Sequence, residues 1–344
     1  MNITSFNITD DIIRYVIKKD NGFEVSILNL GCIIEKIMYG GQNMVLSYSD
    51  YSCYYNNPAY IGAIIGRTSG RIKNATFNIG NNKYFLDKND KDMFANLILL
   101  TGGGYNGLHN KIFKGSIIEN GVKLEYYDVD ESKYPAKVLF TVIYTVLEDK
   151  DSLKMEYYGK SDKLTYINLT NHTYFNLSGL KENATKHFIK INADNYMYLA
   201  NDMVSEKLEK VDNTVFDFRE GKYLDADLAK KNEQFDISYY FDHPFSLNKK
   251  NKEYDVLLRS DISNVSMKIK TNQRAVVMYL GNFLHEVKAV DGVLENERHL
   301  GVALETQDYP NGINLGEDFY NLTDENKPYY SCTELIFEKD NKNQ

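Results

Sequence analysis

The chain reads as all-β, a large antiparallel β-sandwich, on three observations. Its 28 Tyr and 17 Phe favour pleated, half-buried surfaces, and long alanine- or leucine-rich windows are few. Short runs that alternate with period two recur along the sequence. No helical segments alternate with them, as a parallel βαβ fold would need. No Pro- or Ser-rich linker, charge block, composition shift or repeat divides the chain, so residues 1–344 are expected to form one domain.

Taken in order, Phe23–Leu30 alternates with period two, and Gly31 leads into a second apolar run, Cys32–Met38, that ends at Gly40-Gly41. This predicts two strands and a turn. Ala75–Ile79 and Lys83–Leu86 flank Gly80-Asn81-Asn82, a hairpin whose turn residues tolerate positive φ. Val122–Tyr127, Val138–Leu147 and Leu153–Tyr158 make a meander, with Phe140, Val142, Tyr144 and Val146 on one face. Phe188–Asn192, Val256–Leu258, Val265–Lys270, Ala275–Tyr279 and Gly301–Thr306 continue the series. Helical signals are sparse: Asp225–Lys231 suffices for a turn or two.

Charge and cysteines narrow the function. With 40 Lys plus Arg against 48 Asp plus Glu, the formal charge is −8, which argues against a nucleic-acid backbone or an anionic membrane surface as partner. A neutral small molecule stays open. Cys32, Cys53 and Cys332 are widely spaced with no CxxC, so neither a disulfide framework nor a structural zinc is expected, and the thiols fit a reducing cytoplasm. The first residues show no secretory leader, and no apolar run is long enough to span a membrane.

Five stretches stand out from the strand background. Asn168-Leu-Thr-Asn-His-Thr-Tyr-Phe-Asn-Leu-Ser-Gly179 presents His172 from strand-like backbone among amides and hydroxyls that can fix its tautomer. The plain alternative is a core histidine satisfied by a carbonyl, against which stands the cost of burying so many polar groups unpaired. Ile61–Ile72 closes an apolar run with Arg67 and Arg71; Arg71 beside Gly70 offers a guanidinium where backbone comes close to something, or else simply ties a strand end. Leu100-Thr-Gly-Gly-Gly-Tyr-Asn-Gly-Leu-His109 is glycine-rich without a P-loop lysine, and reads as a loop at a site rim. Tyr240-Phe-Asp-His-Pro-Phe245 puts Asp242 next to His243. Ala303-Leu-Glu-Thr-Gln-Asp-Tyr-Pro-Asn311 carries Glu305 out of an apolar strand. A carboxylate in such a setting is desolvated, its pKa rises, and it becomes a better base near neutrality; on solvent-facing backbone it would do nothing. His172, His109, His243, Asp242 and Glu305 are possible metal ligands, but no HxH, HxxxH or HExxH spacing supports a metal centre, and none is expected.

Taken together these stretches resemble the galactose mutarotase, or aldose 1-epimerase, family, over nearly the whole chain from Gly62 to Asn311. The Asn168–Gly179 stretch and Leu304-Glu-Thr-Gln are the most specific pieces; Gly66-Arg-Thr-Ser-Gly-Arg-Ile, Phe241-Asp-His-Pro-Phe and Tyr279-Leu-Gly-Asn-Phe283 support them. The resemblance implies a galactose-mutarotase-type sandwich with an open cleft for a free aldose, no cofactor, and a monomeric or homodimeric state. It implies Glu305 as base, His172 as acid, and Arg71 and Asp242 as residues that hold sugar hydroxyls. Interconverting anomers needs one base and one acid, expected on opposite sides of the hemiacetal, and no redox or covalent step, which agrees with the residues present.

Three positions depart from the family pattern. Thr101 stands where the family has a substrate-binding histidine, Gly70 where it has asparagine, and Val277 where it has glutamine. All three belong to the binding shell, so the chemistry is expected to be retained while the preferred sugar stays open. His109 is a candidate replacement for the missing imidazole. An epimerase for a disaccharide, pentose or sugar phosphate, a silent carbohydrate-binding protein, and a glycosidase using Glu305 and Asp242 are the competing readings.

Overall fold

A computed structural model describes residues 1–88, 90–91, 97–98, 106–129, 133–249 and 253–340. Among the described residues, three antiparallel sheets dominate. The nine-stranded sheet runs Lys114–Ile118, Gly121–Asp128, Val138–Val146, Ser152–Ser161, Tyr329–Lys339, Val265–Thr271, Val256–Ser260, Phe188–Ile191 and Lys222–Tyr223 in spatial order. The six-stranded sheet runs Tyr174–Phe175, Val302–Gln307, Ala275–Tyr279, Asp242–Leu247, Ala193–Leu199 and Ser205–Lys210. A five-stranded meander covers Asn2–Asn43.

Period two decides which side chains meet. In Val138–Val146 the residues Val138, Phe140, Val142, Tyr144 and Val146 are all fully buried, while those between them are partly exposed. They pack with Met267, Ile269, Leu335 and Phe337 of the same sheet, with Phe245, Val276, Met278, Val302 and Leu304 of the six-stranded sheet, and with Ile17, Val25 and Ile37 of the meander. Each such side chain withdrawn from water stabilises the fold by about 1.5–3 kcal/mol. On Val302–Gln307 the same alternation turns Val302 and Leu304 to this core and leaves Ala303, Glu305 and Gln307 for the opposite face. Loops cover that face too, so all six residues are buried.

The expected hairpin forms from Thr76–Ile79 and Asn82–Phe85, closed by two residues with Gly80 at φ +57°. Pro244 sits inside a central strand, but pairing with Ala193–Leu199 reaches only Phe245, so its missing N–H interrupts no ladder there. Asp225–Lys231 forms turns, and the α-helix follows at Glu233–Ser238, where Asn232 caps the N–H of Gln234. Strands at Asn2–Asn7, Ile13–Lys18, Lys114–Ile118 and Tyr329–Lys339 were not among the expected elements. The last places Ser331 and Thr333 at inward positions beside Leu335 and Phe337, and polar residues on the core face hide its periodicity.

Candidate active site

The six-stranded sheet builds the floor of a cleft of about 300 Å³ from its covered face. Glu305 lies opposite Val277 on the next strand, and Val277 opposite Pro244 beyond it, so an apolar row flanks the glutamate on one side. One step along, Ala303, Tyr279 and Asp242 form a parallel row. Asp242 and His243 are adjacent in sequence and therefore diverge: Asp242 lines the cleft, while His243 is fully buried against Phe216 with its Nε2 3.2 Å from Gln234 Oε1.

His172 reaches the same cleft from an irregular segment between two short pairings, Thr170–Asn171 with Ile64–Ile65 and Tyr174–Phe175 with Val302–Ala303. Its N–H donates to Ala63 O at 2.8 Å, and its carbonyl accepts from Gly62 N–H at 3.1 Å. The surrounding polar residues act on the backbone rather than on the imidazole. Asn171 Nδ2 donates to Gly62 O at 2.9 Å and its Oδ1 accepts from Thr173 N–H at 3.0 Å, while Asn168 exchanges bonds with the backbone of Asp308. The ring is held instead by Tyr174, Tyr60 and Tyr279, with centroids at 4.9, 5.9 and 6.0 Å, and its Nε2 faces Glu305 Oε1 at 3.4 Å.

Burial works on both members of this pair. It pushes the Glu305 carboxyl up to about 8, with Asp242 reinforcing the shift and with Arg71 and the Gln307 amide opposing it. It pulls the His172 imidazole down to about 4, with His109 adding to the shift and the histidine's own backbone carbonyl opposing it. The two values bracket neutrality, so at pH 7 the pair holds one exchangeable proton between them.

Arg71 follows Gly70, whose φ of +73° and close approach to Pro310 exclude a side chain: an added Cβ would lie 2.5 Å from Pro310 Cβ. The turn delivers the guanidinium to the cleft, where Nη1 stands 3.4 Å from Asp242 Oδ2. Arg67, four residues earlier, is structural: its Nε pairs with Asp128 at 2.6 Å and its Nη1 donates to the carbonyls of Pro135 and Ala136. Gly70 and Val277 border a smaller chamber of about 40 Å³ that shares Arg71, Asp242 and Glu305 with the cleft.

Glu305, His172, Arg71 and Asp242 are thus brought together. His109 is not: it lies behind Tyr60, edge-on with centroids 4.7 Å apart, and does not line the cleft. Thr101 lies outside the described residues. Sequence reasoning passed over the aromatic walls formed by Tyr60, Tyr174, Tyr279 and Phe283. Their signal was present, since Tyr174 and Tyr279 fall within the marked stretches, and Tyr279 Oη anchors the wall by accepting the Phe283 N–H at 3.1 Å. Among the described residues no cluster of His, Cys, Asp and Glu has the arrangement of a metal centre.

The family model for aldose 1-epimerase matches residues 14–333. An aldose 1-epimerase of Haemophilus influenzae is 33% identical over 290 residues, which cover 83% of this chain and 82% of that protein. A galactose mutarotase of Mus musculus is 29% identical over 316 residues, covering 88% of this chain and 86% of its own. The crystal structure of galactose 1-epimerase from Lactobacillus acidophilus NCFM superposes with a TM-score of 0.86 at 26% identity, covering 99% of each chain. A match running from the first meander to the last long strand leaves one assignment: the chain belongs to the aldose 1-epimerase family of sugar isomerases.

Proposed function

We propose that the protein interconverts the α and β anomers of a free, uncharged aldose, a hexose above all, with Glu305 as base and His172 as acid. The observation that carries this reading is the adjacency of two buried groups, 3.4 Å apart, on the floor of an aromatic-walled cleft. The hydroxyl and the ring oxygen of a hemiacetal are both bonded to C1, so neighbouring groups can serve both atoms at once and need not stand on opposite sides of it, the placement expected from the sequence. Burial disfavours charge on each group, and the shared proton rests on the carboxyl until sugar hydroxyls hydrogen-bond to Glu305 and favour its ionised form. Glu305 then takes the proton of the C1 hydroxyl while His172 gives its own to the ring oxygen, and the ring opens to the aldehyde. Rotation about the bond from C1 to C2 and reclosure with the roles exchanged yield the other anomer and restore both groups.

Arg71 and Asp242 hold ring hydroxyls in this reading, as donor and acceptor. The tyrosine and phenylalanine walls offer apolar surface to the C–H face of a pyranose. Arg71 is the cation of the described lining, set against Asp242, Glu286 and Glu305, which supports a neutral sugar over a phosphorylated one. A cleft of about 300 Å³ suits one small ligand. The protein works in the cytoplasm, as a monomer or homodimer, a placement supported by its three free thiols. No helix among the described residues is long and apolar enough to cross a membrane. Polarimetry on freshly dissolved α-D-glucose and α-D-galactose tests the reading: the approach to equilibrium accelerates with the protein and not with Glu305→Gln. If neither sugar responds, the binding shell has changed the preference or silenced the site, and a panel of pentoses and disaccharides decides: a response identifies the sugar, and none overturns the reading.

A further inference from the structure

Ser69, Gln307 and Glu305 form a buried file of side chains that ends on the carboxyl group. Gln307 follows Glu305 by two residues, so both project from the same face of one strand, and Gln307 Nε2 lies 3.3 Å from Glu305 Oε2. The other end of the amide is fixed as well, because Gln307 Oε1 accepts from the Ser69 hydroxyl at 2.6 Å. That hydroxyl has one proton and a second possible acceptor, Asn168 O at 3.1 Å. The contact to Gln307 is the shorter by 0.5 Å, and the Asn168 carbonyl has the Ser69 N–H at 2.8 Å besides, so the hydroxyl proton goes to Gln307. With its oxygen so engaged, the fully buried amide turns its N–H groups toward Glu305.

We propose that Gln307, oriented by Ser69, is the positioning residue of the base: it holds Oε2 so that Oε1 faces His172 and the sugar, and it favours the carboxylate. The proposal rests on the acid–base reading above. The other groups that face Glu305 are His172 at 3.4 Å, Asp242 and Arg71 from across the cleft, and the phenols of Tyr174 and Tyr279. Arg71 favours ionisation and is offset by Asp242, its own ion-pair partner, while the Gln307 amide donates directly to Oε2. In a pair that shares one proton, only the form with ionised Glu305 and protonated His172 opens the ring. A donor on the carboxylate raises the share of that form and lowers the pKa of the alkaline limb at the same time.

The test is the pH dependence of kcat/KM for mutarotation in Gln307→Leu and Ser69→Ala, together with the titration of Glu305 followed by carbon-13 NMR of its labelled carboxyl. Gln307→Leu keeps the volume and removes both polar ends. It should lower the plateau about tenfold and move the alkaline limb and the NMR midpoint up by about one pH unit. Ser69→Ala should move all three the same way by less. A folded Gln307→Leu whose plateau falls while limb and midpoint stay put would show packing alone and overturn the proposal, as would no change in any of them. If Gln307→Leu does not fold, Ser69→Ala decides by the same signs. A wild-type protein without mutarotase activity would count against the acid–base reading, and the NMR midpoints would still judge the role of Gln307.

Discussion

Two glutamates among the described residues are buried in opposite ways. Glu35, in the strand Ile34–Tyr39, is 1% exposed and set against a cation and a phenol: Arg14 Nε lies 2.7 Å from one oxygen, and Tyr51 Oη donates to the other at 2.8 Å. Tyr51 is pushed up to about 12 by burial and by its bond to Glu35, so it stays a donor throughout the working range. Glu305 is 5% exposed and has one amide donor at 3.3 Å and an imidazole at 3.4 Å. Both carboxyls are buried, and Glu35 meets a cation and a hydroxyl where Glu305 meets an amide and an imidazole. A buried acid held against a cation ties strands together; one buried beside a second carboxylate, with a single amide donor, keeps its proton into the neutral range, where it can be traded.

Exchanging each acid for its amide gives the largest contrast. Glu305→Gln should lower turnover by about 10³-fold, the usual scale for a lost general base, with sugar affinity changed little and thermal stability no lower than before. Glu35→Gln should do the reverse, costing about 2 kcal/mol because Arg14 loses its counter-charge, with activity per folded molecule intact. Polarimetry and urea unfolding of both variants check the pair of expectations. Similar losses in both assays for both variants would erase the distinction.

The second expectation concerns pH. Below about 4 both Glu305 and His172 carry protons and no base is left; above about 8 both have lost them and no acid is left. The rate should therefore be flat between those limits and fall about tenfold per unit beyond either one. A single limb near the ordinary histidine value of 6.5 would mean that the pair does not share its proton.

Next in size is Arg71→Ala. The guanidinium meets Asp242 at 3.4 Å and is assigned to hydroxyls away from the reacting carbon. KM should rise about tenfold while kcat stays within about threefold, as expected for binding lost equally from ground and transition states. Equal falls in kcat from Arg71→Ala and Glu305→Gln would refute the division of roles.

Much of this was legible before any coordinates. Phe140, Val142, Tyr144 and Val146 were assigned to one face because period two is a local property, and Glu305 stood out because it interrupts an apolar strand. Tyr329–Lys339 escaped because Ser331 and Thr333 occupy core-facing positions, a choice that makes sense only beside the strands flanking it. The structural role of Arg67 escaped as well, although Arg71 was singled out beside Gly70. Their spacing is neutral, and what distinguishes them is Asp128, 61 residues away from Arg67 in the chain and 2.6 Å from its Nε. The cleft walls were half legible, since aromatic residues were visible within the marked stretches but their convergence depends on strand order. The amides and hydroxyls around His172 were noticed for the wrong target: they clamp backbone, and three aromatic rings aim the imidazole.

The smallest expected effect belongs to His109, the candidate substitute for a binding histidine. It is 5% exposed, sits behind the Tyr60 ring, and is pulled down to about 4 by burial and by Lys111, so it enters the neutral range uncharged. In that position it supports Tyr60, whose backbone has a φ of +55° and whose ring also borders His172. His109→Asn should change KM for glucose or galactose by less than about threefold, and Tyr60→Ala by more, because the ring and not the imidazole meets the sugar. A KM that rises as far as in Arg71→Ala would mean that Tyr60 swings aside when sugar binds and that His109 contacts the substrate directly. The Tyr60→Ala, His109→Asn double variant separates the two cases: additive losses place both side chains on the sugar, and a double variant no worse than Tyr60→Ala leaves His109 as the support behind it.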